Sequence, residues 1–277
     1  MKANAPPSTE AIRDRYDRLT SGLDAIFGEH IHHGFWDRAA SVAEAQRRLI
    51  ERVASQARIP PGSRVLDIGC GTGGSSRWLA ETLDCSVLGI TISPVEVRIA
   101  TEKAHAAGLS ARAQFQVMDA NELDLPPSSF DAVWVVETSE HLEDKRPFME
   151  NCARVLKPGG VFALSACVAV GEPADRQSEL LAKVCRVLLL PSLATLAQYR
   201  EWIREAGLSE VQAEDVTLHV AETWWRYAEA FRAAGARRPT PESGETEARK
   251  FIQLLTTMRA AYREGALHYG IFSARRA

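Results

Sequence analysis

Arg64-Val-Leu-Asp-Ile-Gly-Cys-Gly-Thr-Gly-Gly74 joins a short apolar run to four glycines in six positions. Val65, Leu66 and Ile68 suit a parallel strand covered on both faces. The glycines let the backbone turn tightly and keep side chains away from a bound ligand. Helix signals follow at 75–81, so the stretch predicts a strand, a loop and a helix.

The surrounding chain repeats that alternation. Strands are predicted at 86–91, 113–117, 130–136, 161–170, 210–217 and 267–273, with helices at about 95–107, 144–156 and 197–207 between them. Ser93 can cap the helix after the second strand, Pro94 suits its first position, and Glu96 can complete a capping box. Lys157-Pro-Gly-Gly160 is expected to end the helix at 144–156. Ahead of the core, Ile12, Tyr16, Leu19, Leu23 and Phe27 recur at helical spacing, and a second helix is expected at 41–57. The resulting expectation is an α/β fold with a doubly wound, mostly parallel seven-stranded sheet. Residues 1–58 form an N-terminal helical lid, and 59–277 a core with helical cap insertions at about 171–196 and 221–264, the second cut at Arg238-Pro-Thr-Pro-Glu-Ser-Gly244.

With 277 residues, 45% hydrophobic and 25% charged, the chain fits one large domain, and a net charge of −3 gives no footprint for nucleic acid or an anionic membrane. A small-molecule substrate is favoured. Five cysteines without C-x-x-C spacing suggest neither disulfides nor zinc, and no apolar run is long enough for a membrane span. Reduced thiols and a cytoplasmic location are the expectation, with homo-oligomerisation left open. His30, His32 and His33 crowd one loop, but no further ligands complete a metal site.

Gly69-x-Gly71-x-x-Gly74 also fits a dinucleotide loop, which makes a nicotinamide-dependent oxidoreductase a rival. Asp67, at the strand end, would repel a pyrophosphate, and the second strand ends in Thr91 where an acid should meet the ribose. A cationic, phosphate-free nucleoside fits better, which points to S-adenosylmethionine (SAM). A SAM-binding module without catalysis is the other alternative.

Ligands of open α/β sheets bind at the carboxyl ends of the strands, so the polar residues there are the candidates. His141 after the fourth strand and His219 after the sixth could act as general base, or could be structural; Glu137 and Glu140 could orient His141 or cap a helix. Leu188, Leu189, Leu190, Trp224, Trp225 and Phe231 would give a lipophilic or aromatic acceptor pocket, or pack on the sheet.

The glycine motif resembles the first motif of class I SAM-dependent methyltransferases. Ile26-Phe-Gly-Glu-His-Ile-His-His-Gly-Phe-Trp-Asp37, Gly89-Ile-Thr-Ile-Ser-Pro-Val-Glu96, Glu137-Thr-Ser-Glu-His141 and Ala261-Tyr-Arg-Glu-Gly265 resemble the γ-tocopherol methyltransferase-like, small-molecule branch. The resemblance implies methyl transfer from SAM to a natural product, quinol, isoprenoid or alkaloid, at carbon, nitrogen or oxygen. It implies that Gly69, Cys70 and Gly71 lie along the methionine moiety, with Asp67 supporting its ammonium. Thr91, Ile92 and Glu96 would meet the ribose, although relatives usually carry Gln at the last of these. Asp119 and Ala120 would hold the adenine. Tyr16 and Trp36 would form the lid, with ordinary helix packing as their alternative.

Overall fold

The computed structural model describes residues 6–39, 41–233 and 244–277. Two helices come first, α1 (Thr9–Phe27) and α2 (Val42–Ala57). β1 (Arg64–Ile68), α3 (Gly74–Thr82), β2 (Ser86–Thr91), α4 (Pro94–Ala106), β3 (Ala113–Val117) and β4 (Phe130–Val136) then alternate. A single 3-10 turn at Ser139–His141 precedes α5 (Lys145–Val155) and β5 (Leu156–Ala169). The rest comprises α6 (Asp175–Leu188), α7 (Leu196–Glu205), β6 (Leu208–Asp215), α8 (Thr217–Val220), α9 (Thr223–Ala233), α10 (Gly244–Arg263) and β7 (Leu267–Arg276).

The seven strands lie in the order β3-β2-β1-β4-β5-β7-β6. All neighbours are parallel except at β7, which runs antiparallel to β5 and β6. The chain works outward from β1 to β3, then restarts at β4 on the other side of β1. That reversal leaves a crevice at the carboxyl ends of β1 and β4. The Gly69–Gly74 loop and the Glu137–His141 segment both emerge there.

Side chains of the strands alternate between two apolar layers. Val65, Trp134 and Ala163 face the side covered by α2, α3, α9 and α10, whereas Leu66, Val133, Val135 and Phe162 face α5 and α7. Each such fully buried large side chain contributes about 1.5–3 kcal/mol by leaving water. The caps follow the sequence signals: Ser41, Ser93, Asp144 and Thr195 accept the backbone N–H groups at the starts of α2, α4, α5 and α7.

Four expectations need correction. Lys157–Gly160 does not separate helix from strand, because β5 begins at Leu156 directly after α5. Phe130 pairs with Leu156 and Ala132 with Val161, so these four residues bulge opposite Asp131, whose carboxylate binds Lys157 Nζ at 2.7 Å. β6 stops at Asp215, where the carboxylate accepts from Thr217 N and turns the chain into α8. β7 extends to Arg276 because β6 and β5 both pair along it. Half of the capping box on α4 is missing: Glu96 does not return to Ser93 N, which donates to Thr91 Oγ1. The expected break at 238–244 falls at residues 234–243, outside those described, as do the side chains of Leu23 and Phe27.

α2 ends on exposed Arg58 in the left-handed conformation (φ 54°, ψ 51°), a position glycine occupies without steric cost. Arg58→Gly is expected to raise stability by up to about 1 kcal/mol in urea unfolding; a loss would show that the Arg58 side chain matters more than its backbone.

Candidate active site

Two cavities open at the carboxyl edge of the sheet. The first, of about 1170 Å³, runs along the ends of β1, β2 and β3 beneath α1. It gathers Tyr16, Asp67, Gly69, Cys70, Gly71, Thr91, Ile92, Glu96, Asp119, Ala120, Glu137 and His141, residues the sequence singled out. The second, of about 1780 Å³, lies between α1, the end of α6, α9 and α10. Tyr16, Ile31, Glu137 and His141 line both. The two spaces therefore meet at these four side chains.

Asp67 is 2% exposed, and its Oδ2 accepts from Ser76 Oγ at 2.5 Å. No cationic side chain pairs with it among the described residues, so burial dominates and pushes its carboxyl up to about 7, against the hydrogen bond from Ser76. A buried acid in this state gains from a cationic ligand. Beside it Gly71 has a positive φ, and a Cβ there would meet nothing within 4 Å, which leaves the backbone bare towards the cavity. Gly74 serves the protein instead, because a Cβ on it would lie 2.5 Å from the Glu29 carbonyl oxygen. That close approach lets Arg77 bind Glu29 Oε1 at 3.0 Å and Thr72 O at 2.8 Å, tying the histidine loop to the glycine loop. These residues fit SAM: an unpaired acid for its positive charge, and open backbone for its chain.

Glu96 is buried, and its carboxylate accepts from Thr91 Oγ1 (2.6 Å) and Thr20 Oγ1 (3.1 Å). Burial raises its pKa and the two hydroxyls work against that. Thr20 belongs to α1, as does Asp17, which accepts from Ser93 Oγ. The N-terminal helix is thus pinned to the start of α4. Asp119 Oδ1 accepts from Asn121 N and Nδ2, both at 2.9 Å, closing a turn at the cavity wall.

Glu137 takes a different part from the one expected. It sits in the left-handed region (φ 51°) and its Oε1 accepts from His33 N (2.8 Å), His33 Nδ1–H (2.9 Å) and the Tyr269 hydroxyl (2.8 Å). Trp224 Nε1–H can only donate, and it reaches His33 Nε2 at 2.8 Å, so the proton of the ring lies on Nδ1. The Tyr262 hydroxyl joins at 2.9 Å. Burial works against charge on Glu137, but His33, through its ring and its backbone N–H, holds the carboxyl down at about 2. Glu137 is therefore a fixed anion and does not orient His141.

Glu140 does not orient it either: Oε1 accepts from Cys167 N at 2.7 Å, and burial together with the Glu137 charge pushes its pKa up to about 8. The partner of His141 is Tyr16, whose hydroxyl lies 2.9 Å from Nε2. His141 Nδ1 is buried without a partner. Burial pushes the imidazole down to about 4, and the Leu189 carbonyl offsets only part of this.

Two candidates fall outside both cavities. His219 lies exposed on α8, at the edge-strand end of the sheet, stacked on Phe35 at 4.5 Å. Trp36 turns away from α1, with Nε1 on Thr223 Oγ1 at 2.9 Å and its ring under Arg226. Of the expected acceptor wall, Leu188, Leu189, Leu190 and Trp224 line the second cavity. Trp225 instead packs under Arg259, and Phe231 against Phe251.

Sequence reasoning weighed His32 only as a metal ligand and missed Gln46. The Nε2 atom of His32 is buried without a partner and the residue lines the first cavity, while its Nδ1 meets His33 O at 2.7 Å. Gln46 is 1% exposed on the apolar face of α2, and its Nε2 donates to His30 O at 2.5 Å and to the Tyr227 hydroxyl at 2.8 Å. A glutamine amid Leu49, Ile50 and Val53 was the available signal. Among the described residues no cluster could hold a metal ion, and no helix is long and apolar enough to cross a membrane.

The family profile "Methyltransferase domain" matches residues 66–164. The 27-O-demethylrifamycin SV methyltransferase of Amycolatopsis mediterranei is 36% identical over 98% of this chain and 98% of its own length. The chloroplastic tocopherol O-methyltransferase of Arabidopsis thaliana is 35% identical over 80% of this chain and 70% of its own. Among solved structures, the [4+2]-cyclase SpnF superposes with a TM-score of 0.80 at 28% identity, covering 99% of this chain and 97% of SpnF. A putative sarcosine dimethylglycine methyltransferase from Galdieria sulphuraria, at 24% identity, shares the fold with a TM-score of 0.85 over 95% of this chain and 99% of its own.

The raised pKa of Asp67 has a defined sign. The folded ligand-free protein keeps a proton that the unfolded chain has released, so this group costs stability increasingly as pH rises from about 4 to about 7. Asp67→Asn is expected to be more stable than the wild type at pH 8, by on the order of 1 kcal/mol or more, and equal to it near pH 4. The same variant is expected to lose SAM affinity in calorimetric titration. A stability difference independent of pH would refute the assignment.

Proposed function

The chain belongs to the class I SAM-dependent methyltransferases of small molecules, and on that premise we propose that it methylates a lipophilic or aromatic acceptor held in the second cavity, with His141 as base where the accepting atom carries a proton. The observation that carries this reading is the junction of the two cavities at Tyr16 and His141. On one side lies the acid and bare backbone suited to a cationic nucleoside; on the other lies the larger apolar space. The rifamycin and tocopherol relatives, 36% and 35% identical, are named as methyltransferases, and neither the oxidoreductase nor the non-catalytic module is supported. The free state of the five cysteines agrees with a reducing, cytoplasmic setting.

When bound, the cofactor supplies an electrophilic methyl group on a sulfonium. Displacement from it needs alignment and exclusion of water more than covalent help from the protein. In this reading Asp67 balances the positive end, with Gly69, Cys70 and Gly71 along the chain. Thr91, Ile92 and Glu96 take the ribose, and Asp119 and Ala120 the adenine. Tyr16 covers the junction from α1.

His141 is neutral at physiological pH, since burial holds its pKa near 4. The Tyr16 phenol, whose pKa burial raises, is also neutral, and it occupies His141 Nε2. An acceptor hydroxyl, amine or activated carbon that displaces this phenol would place its proton on the same lone pair. Burial leaves the resulting imidazolium a strong acid, which returns the proton readily to water after the product departs.

Transfer of labelled methyl from SAM in an extract of the source cells tests the function: label should enter the organic phase. Label confined to the aqueous phase would refute the lipophilic acceptor, and label confined to acid-precipitable material would make the acceptor a macromolecule. With the acceptor identified, His141→Gln is expected to lower kcat by about 10²-fold or more with SAM affinity retained. The base must be neutral to act, so with SAM saturating, kcat/KM for the acceptor should stay level from pH 8 to 6 and fall only towards about 4. An acid limb centred near 6.5 would refute His141 as the buried base.

A further inference from the structure

We propose that His32 Nε2 accepts a hydrogen bond from the α-ammonium group of the bound cofactor, so that an imidazole lone pair, together with the Asp67 carboxyl, recognises the amino-acid end of SAM. This rests on the first cavity being the cofactor site.

The hydrogen bonding of the ring fixes what Nε2 can offer. His32 Nδ1 lies 2.7 Å from His33 O, and a carbonyl oxygen only accepts, so the proton of the ring sits on Nδ1. Burial pushes the imidazole's pKa down, against the pull of the Glu137 charge, which keeps a second proton off. Nε2 therefore presents a lone pair and no N–H. That atom is buried without a partner, while the residue lines the first cavity. A bare buried acceptor is unfavourable, and a donor on a ligand would remove that cost. The backbone beneath the ring is held in place, since the Tyr227 hydroxyl donates to His32 O at 2.7 Å and Gln46 Nε2 to His30 O at 2.5 Å.

The position of the loop selects which donor of the cofactor arrives there. In the sheet order β3-β2-β1-β4, Asp119 follows β3 and Thr91 ends β2, so the residues read above for adenine and ribose lie at one end of the cavity. The histidine loop lies at the other. Thr72 Oγ1, in the glycine loop after β1, donates to Glu29 O at 3.4 Å, and His33 N donates to Glu137 Oε1, after β4, at 2.8 Å. His32 thus stands between the ends of β1 and β4, next to the residue bound by Glu137. The hydrogen-bond donors of SAM are its adenine amine, its ribose hydroxyls and its ammonium; the carboxylate and the sulfonium donate nothing. With the first two placed over β3 and β2, the ammonium is the donor left for this end. A protonated Nε2 would repel it, which is why the tautomer matters.

The test is calorimetric titration of the full chain with three ligands: S-adenosylhomocysteine, its deaminated analogue, which keeps the carboxylate and lacks the amine, and 5′-methylthioadenosine, which lacks the whole amino-acid end. His32→Phe is expected to weaken S-adenosylhomocysteine by about tenfold or more and to leave the other two nearly unchanged. His32→Gln, which keeps an acceptor on a side chain of similar reach, should retain much of the wild-type affinity. Equal losses for all three ligands would make His32 a structural residue of the loop, and equal losses for S-adenosylhomocysteine and its deaminated analogue would assign it to the carboxylate; either overturns the proposal, as does an unchanged affinity for S-adenosylhomocysteine. If the wild type binds none of the three, the cofactor reading falls as well, whereas normal binding that ignores His32 overturns this inference alone.

Discussion

The Glu137 carboxylate holds together parts of the chain that no sequence-local interaction could join. It sits at the end of β4, accepts from the histidine loop and from β7, and through His33 reaches Trp224 on α9 and Tyr262 on α10. Four separate elements therefore depend on one buried charge. Its ionisation survives burial because three donors aim at one oxygen, so the desolvation cost is offset by hydrogen bonds to the charged form. The wall between the two cavities is built on this anchor.

The other acids near the crevice show how burial alone does not set a carboxyl's state. Asp67 has one hydroxyl partner and rises to about 7; Glu140 has a backbone N–H partner but also the Glu137 charge, and rises to about 8. Glu96 has two hydroxyls and rises as well. The four carboxyls are thus divided into one held as an anion, Glu137, and three whose pKa is raised, Asp67, Glu96 and Glu140. The partition follows from the number and kind of donors around each.

The sheet was readable because its signals are local. β2, β3 and β4 begin and end where apolar runs meet glycine, proline or polar residues, and Ser93-Pro94 starts α4 as its chemistry dictates. The crevice position follows from the strand alternation, which is why nearly all the candidate residues for the cofactor face one cavity. What stayed hidden depends on distant partners. His33 and Glu137 are 104 positions apart, and nothing at either place announces the other. Trp36 and His219 carried the right side chains for a lid and a base, yet Thr223 and Phe35 hold them elsewhere. The Lys157–Gly160 bulge has a similar origin, since only pairing with β4 decides where β5 begins.

The way α1 is fastened differs from the way the sheet is held. Its contacts to the core named above are polar: Thr20 to Glu96, Asp17 to Ser93, Arg15 to a carbonyl at the end of α6, and Tyr16 to His141. Each such bond exchanges readily with water, at a net cost of about 0.5–1.5 kcal/mol, whereas both apolar layers of the sheet lie beneath and stay closed. Breaking these few bonds would leave both apolar layers of the folded core intact. Since α1 touches both cavities, one set of polar contacts shapes the walls of both spaces at once.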